Sequence, residues 1–68
     1  MEQEWVSIFS STQMVVIEAA KVLLQENEID SFQVNKKDSS YIFGDIELFV
    51  HAEEKDKALL ILTENDLL

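Results

Sequence analysis

The chain has 68 residues, of which 14 are acidic and 5 basic, giving a formal net charge of −9 at pH 7. This length accommodates one domain, residues 1–68, and the negative charge opposes binding to nucleic acid and to anionic membrane surfaces. The chain has no cysteine, its first residues are acidic and its apolar runs are short, so we expect a cytoplasmic protein without disulfides, signal peptide or membrane span.

The first predicted strand is Trp5–Phe9, which is rich in β-branched and aromatic residues. Ser10 and Gln13 have the spacing of a capping box, so we expect the first helix to begin there. This helix is expected to end near Asn27, with Asn27 or the residue after it in the left-handed conformation. Its apolar stripe repeats at helical spacing and comprises Val16, Ile17, Ala20, Leu23 and Leu24.

The middle of the chain contains two segments that alternate between apolar and polar residues, as half-buried strands do. They are Ile29–Asn35 and Asp45–His51, and the connection Lys36–Gly44 between them ends in the only glycine. The acidic residues of Ala52–Asp56 suit the first turn of a second helix, because the helix dipole favours negative charge there. The buried stripe of this helix is expected to be Ala58, Leu59, Ile61 and Leu62.

The element order predicts an α+β fold, a ferredoxin-like (split βαβ) plait that lacks the last strand. A right-handed crossover, followed by a hairpin whose second strand inserts between the two earlier strands, gives a three-stranded antiparallel βαββα sheet ordered 1-3-2. Both helices then cover one face, and the opposite face and the first strand's edge stay open. Strict alternation predicts that the residues beneath the helices are Val6, Ile8, Phe32, Val34, Ile46, Leu48 and Val50. The residues predicted on the open face are Trp5, Ser7, Phe9, Glu47, Phe49 and His51.

The aromatic residues make this open face apolar enough to require a cover. One cover that fits the sequence is the connection Lys36–Gly44, whose aromatic residues could fold over the sheet. A second is another copy of the chain, in a homodimer formed by sheet packing or edge pairing, and a third is a different protein or a small ligand. The predicted interaction surface comprises Trp5, Phe9, Tyr41, Phe43, Phe49 and His51.

Segments along nearly the whole chain match a known pattern, namely Trp5–Phe9, Glu18–Leu24, Glu28–Ile29, Gly44–Val50 and Ala58–Leu62. With these segments the chain resembles the small bacterial domains grouped as the putative prokaryotic signal-transducing protein family. The resemblance implies a P-II-like, ferredoxin-like fold and a role in signal transduction. The chain departs from the pattern where the first helix ends, because relatives commonly have glycine there and this chain has Asn27 and Glu28.

The sequence predicts no catalytic residues, no metal site and no cofactor. His51 is the only histidine, and a nucleophile would need both a base and an orienting acid beside it. Glu53, Glu54 and Asp56 lack the spacing and the glycine of a calcium loop. A single glycine cannot form a phosphate-binding loop, and the basic signature of RNA-recognition motifs is absent.

Two functions therefore fit the sequence. The first is a non-enzymatic interaction or regulatory module that acts through the open aromatic face and residues 36–44. The alternative is a small-ligand sensor that binds a metabolite at a protomer interface or under the connection. The polar groups available to such a ligand are Ser7, Gln33, Lys36, Lys37 and His51.

Overall fold

The computed structural model describes residues 4–35 and 46–67, which form a sheet covered by helices. The described elements are β1 (Trp5–Ser11), α1 (Met14–Glu26), β2 (Ser31–Asn35), β3 (Ile46–His51), a 3₁₀ turn (Ala52–Glu54) and α2 (Lys55–Glu64). The three strands are antiparallel and ordered β1-β3-β2. This architecture confirms the predicted α+β, ferredoxin-like βαββα fold. No helix within the described ranges is both long enough and apolar enough to cross a membrane.

The hydrophobic core lies between the helices and the central strand. Alternate residues of β3 are buried, and these are Ile46, Leu48 and Val50. Each helix contributes a buried stripe, made of Ile17, Ala20 and Leu24 in α1 and of Ala58, Ile61 and Leu62 in α2. Both stripes belong to one cluster with the buried face of β3, so both helices cover the same side of the sheet, called the helix side below.

Strand β1 is longer than the sequence predicted and contains an irregularity. Its register against β3 shifts between Ser7 and Phe9, which leaves Ile8 without a partner residue. Phe9 is therefore aligned with buried Leu48 and packs against the core. The prediction that Phe9 lies on the open face is wrong, because one extra residue in a strand reverses the alternation beyond it.

Strand β2 faces the opposite way from the prediction. Phe32 is aligned with Phe49 and Val34 with Glu47, so both lie on the open face and not beneath the helices. Ile29, which was predicted to begin this strand, instead precedes it and is 2% exposed. Because Ile29 is buried next to the end of α1, every second residue after it also faces the helix side. Gln33 is one of these residues and lies opposite Leu48.

The start of α1 differs from the predicted capping box. Ser10 belongs to β1, and the N-cap position is Gln13, whose side chain makes no capping hydrogen bond. The hydroxyl of Ser11 accepts a hydrogen bond from the Gln13 backbone N–H at 3.0 Å. The serine therefore stabilises the turn between β1 and α1 and does not cap the helix.

Both helices end in the same Schellman motif. In α1, the Ile29 N–H donates to the Leu24 carbonyl at 2.9 Å, and Glu28 has a left-handed φ of 63°. In α2, the Leu67 N–H donates to the Leu62 carbonyl at 2.9 Å, and Asp66 also has a φ of 63°. The left-handed residue was predicted to be Asn27 or the residue after it, and the structure shows that it is Glu28.

Candidate functional site

Four rings lie together on the face opposite the helices, and they come from all three described strands. These rings, called the aromatic face below, belong to Trp5, Phe32, Phe49 and His51. The strand register explains their proximity, because Trp5 is directly opposite His51 and Phe32 is directly opposite Phe49. Residues in such positions are close enough for their side chains to touch.

The ring geometry makes the aromatic face one continuous cluster. Trp5 stacks on His51 with centroids 3.9 Å apart, and it meets Phe32 edge-on at 4.7 Å. Phe32 stacks on Phe49 with centroids 5.2 Å apart and planes 7° from parallel. Trp5 and Phe32 nevertheless remain 37% and 38% exposed. The rings are thus held in place by one another while presenting apolar surface to the solvent.

The end of the sheet beside Trp5 is closed by a backbone hydrogen bond. The Ala52 N–H donates to the Glu4 carbonyl at 2.8 Å, which ties the start of β1 to the turn after β3. A small pocket of about 150 Å³ opens at this end, lined by Glu4, His51, Ala52 and Glu53. The buried Nδ1 atom of His51 has no hydrogen-bond partner among the described residues.

The charged side chains that the structure describes around the aromatic face are acidic. Glu4 and Glu53 are exposed at the end of the sheet, and Glu47 lies on the open face of β3. The lysines of the described ranges all lie on the helices, at positions 21, 55 and 57. The described side chains thus make the sheet face acidic and aromatic, while the helices and the turns beside them carry the lysines together with a larger number of acidic residues.

A second pocket lies beside the end of α1, away from the aromatic face. It has a volume of about 250 Å³ and is lined by Lys21, Gln25, Ile29, Asp30 and Ser31. In the part of the chain that the structure describes, no group of three or more histidine, cysteine, aspartate or glutamate side chains could hold a metal ion.

The structure brings together three of the predicted surface residues, namely Trp5, Phe49 and His51. Phe9 is on the helix side and takes no part in the aromatic face. Tyr41 and Phe43, with the rest of residues 36–45, lie outside the described ranges. Phe32 is the ring that sequence reasoning missed. The signal that could have revealed it is the odd spacing of three residues between Ile29 and Phe32, which places the two side chains on opposite faces of an alternating segment.

A family model described as "Putative prokaryotic signal transducing protein" matches residues 5–66. The chain belongs to this family. The whole aromatic face lies within the matched range, and the family description suggests a signal-transducing role without specifying a ligand, a partner or a reaction. No curated protein and no solved structure matches the chain.

Proposed function

We propose that this chain is a cytoplasmic, non-enzymatic interaction module for signal transduction, which binds another protein through the aromatic face and residues 36–44. The observation that carries the proposal is the cluster of four rings on the face opposite the helices. The partner is either a second copy of the chain, which would form a homodimer, or a different protein. The family description agrees with a signalling role.

Exposed aromatic residues that already contact one another suit a binding surface. Trp5 and Phe32 each pack against two other rings, and more than a third of each is exposed. Tryptophan is among the residues that contribute most to protein interfaces, because its large ring buries much apolar area with few rotatable bonds. Since the rings already pack on one another in the free chain, less conformational entropy is lost when a partner covers them.

The surroundings of His51 support a binding role over a catalytic one. Its ring stacks on Trp5, which is also its cross-strand neighbour. Neither a serine nor a carboxylate occupies that neighbouring position. Ser7 is aligned with Phe49, one pair further along the strands. The imidazole therefore contributes ring area to the aromatic face. In a catalytic site it would instead have to accept a hydrogen bond from a nucleophile, as its general base.

The described pockets support the alternative function, a small-ligand sensor, less well than the aromatic face supports an interaction module. Their volumes of about 150 and 250 Å³ are below the roughly 300–1,000 Å³ typical of small-molecule sites. A ligand-sensing role would therefore require a site completed by a second protomer or by residues 36–45.

Photocrosslinking in native cells tests the proposal directly. A benzophenone amino acid is placed at position 32, on the aromatic face, and at position 22 on α1, where Val22 is 51% exposed and serves as the matched control. We expect protein adducts from position 32 that are absent from position 22 and that decrease when Trp5→Ala is added. Mass spectrometry of the adducts distinguishes a homodimer from a different partner. Equal adducts at both positions, or none at position 32, would contradict the proposal.

A further inference from the structure

We propose that β1 pairs antiparallel with β1 of a second copy of the chain, so that two three-stranded sheets join along one edge. This contact uses the outer edge of the sheet and not the aromatic face, so it adds a second interaction surface to the proposed function. It is carried by the direction of the backbone groups at the start of β1 and by the lack of charge in this strand.

The outer edge of β1 has no neighbouring strand among the described residues, because only β3 lies beside it. The Ala52 N–H donates to the Glu4 carbonyl, so the backbone groups of Glu4 point toward β3. Since this direction alternates along a strand, the N–H and C=O groups of Trp5 and Ser7 point away from β3. These two residues therefore present backbone donors and acceptors at the open edge.

The spacing of these groups is self-complementary. Trp5 and Ser7 flank Val6, so a two-fold axis through Val6 places Trp5 of each copy opposite Ser7 of the other. In that register, each Trp5–Ser7 pair exchanges both of its backbone hydrogen bonds. The irregularity of β1 begins after Ser7 and leaves this stretch regular. The same patch on both copies thus satisfies the open edge, as a symmetric dimer contact requires.

The composition of β1 suits a second copy in spite of the acidic character of the chain. Trp5–Ser11 has no charged residue, although 28% of the chain is charged. Edge strands that remain unpaired are commonly protected by lysine, proline or an inward-facing charge, and β1 has none of these. In the proposed register the nearest acid, Glu4, is opposite Ile8 of the other copy. Two copies can therefore pair without placing like charges opposite each other.

The pairing also brings the two aromatic faces together. Val6 is aligned with buried Val50, so Val6 of both copies would meet on the helix side. Trp5 lies on the open side, where the two indoles would be diagonal neighbours across the new strand pair, with Cα atoms roughly 7–8 Å apart. The rings of both copies then form one larger surface for a partner.

Single-cysteine variants test the register, because the chain has no cysteine of its own. Val6→Cys places two thiols opposite each other across the axis, with a Cα separation of roughly 4.5 Å that a disulfide can span. The matched control is Val34→Cys on β2, the other edge strand, where the valine is also half-buried. In a glutathione buffer, we expect roughly tenfold more disulfide-linked dimer from Val6→Cys. Equal or greater crosslinking of Val34→Cys would overturn the inference.

Sedimentation equilibrium of the unmodified chain measures the association itself. We expect a monomer–dimer equilibrium between about 10 μM and about 1 mM, as suits a small interface. Because each copy has a net charge of −9, dimerisation should strengthen at least threefold, in order of magnitude, from about 20 mM to about 200 mM NaCl. A chain that stays monomeric up to about 1 mM, or a dimer that weakens with salt, would contradict pairing through β1.

A synthetic chain with N-methylated Ser7 distinguishes the edge from the aromatic face. The methyl group replaces an N–H that points away from β3, so the described sheet and its rings are retained. We expect dimerisation to weaken more than about tenfold, whereas Phe32→Ala, which removes a ring from the aromatic face, should change it less than about twofold. Thermal unfolding of the N-methylated monomer should match that of the unmodified chain.

The same pair of variants separates this inference from the proposed function. If Phe32→Ala dissociates the dimer and N-methylation does not, the copies meet through the aromatic face, and only the inference fails. If N-methylation dissociates the dimer and position 32 gives no protein adducts in cells, the edge contact stands and the proposed function fails.

Discussion

The indole of Trp5 stacks on the imidazole of His51, with the ring centroids 3.9 Å apart and the planes 29° from parallel. The two residues are directly opposite in the register of β1 and β3, so the stack is a cross-strand pair. Beyond them, the Ala52 N–H donates to the Glu4 carbonyl and closes the end of the sheet. The stack thus holds the start of an edge strand on the central strand and fixes the orientation of the indole.

Replacing His51 tests the contribution of this stack. His51→Ala is expected to lower the free energy of unfolding by about 1 kcal/mol and to shift the Trp5 emission to longer wavelength, because the indole loses a stacked neighbour. His51→Phe keeps a ring and removes the buried Nδ1 that has no described partner, so it should retain both the stability and the emission maximum. Urea unfolding and fluorescence measure the two quantities, and equal losses in both variants would contradict the stack.

Gln33 provides a prediction on the helix side of the sheet. Its Oε1 is buried without a hydrogen-bond partner among the described residues, and its Nε2 lies 3.3 Å from the Met14 sulfur, a weak acceptor. Gln33→Leu is expected to raise the free energy of unfolding by about 1 kcal/mol, because it removes an unsatisfied polar group opposite Leu48. The control is Gln25→Leu at an exposed position of α1, which should change stability by less than about 0.5 kcal/mol. A loss of stability in Gln33→Leu would indicate that its carbonyl is hydrogen-bonded in solution.

The end of α1 predicts a stabilising substitution. Glu28 has a φ of 63°, a conformation in which a side chain is unfavourable and glycine is not. Glu28→Gly is therefore expected to raise the free energy of unfolding by about 0.5 kcal/mol, with the greater entropy of glycine in the unfolded chain offsetting part of the gain. Glu26→Gly, two residues earlier at the last position of α1, should lower it by about 0.5 kcal/mol. Thermal unfolding of the two variants should show stability changes of opposite sign. Equal changes in both variants would exclude the left-handed conformation at Glu28.

The element order and the sheet topology were predictable because their sequence signals are regular. The helices carry apolar stripes at 3.6-residue spacing, and β3 alternates strictly through Ile46, Leu48 and Val50. A repeated pattern also ends both helices, since Leu24–Ile29 and Leu62–Leu67 each consist of leucine, a polar residue, Glu-Asn, an acid and an aliphatic residue. In both, the asparagine amide donates to the carbonyl four residues earlier, at 2.8 Å in α1 and 2.9 Å in α2.

The composition of the aromatic face was only partly predictable. An alternating pattern shows which residues of a strand share a face, but it does not show which face is buried. For β2 that choice depends on Ile29, whose burial at the end of α1 sends Phe32 to the open side. For β1 it depends on the irregularity at Ile8, which no residue type in the strand specifies. Trp5, Phe49 and His51 were placed correctly because they lie before the irregularity or on the regular central strand.

Two phenylalanines therefore give the sharpest test of the register. Phe9→Ala is expected to lower the free energy of unfolding by about 3 kcal/mol, because the ring packs against the core beside Leu48. Phe32→Ala should lower it by roughly 1 kcal/mol, since the ring is 38% exposed and loses mainly its contacts with Trp5 and Phe49. Strict alternation would give the reverse order, with Phe32 in the core and Phe9 at the surface. Urea unfolding of the two variants distinguishes these registers, and Phe32→Ala alone should also change the emission of Trp5, its ring neighbour.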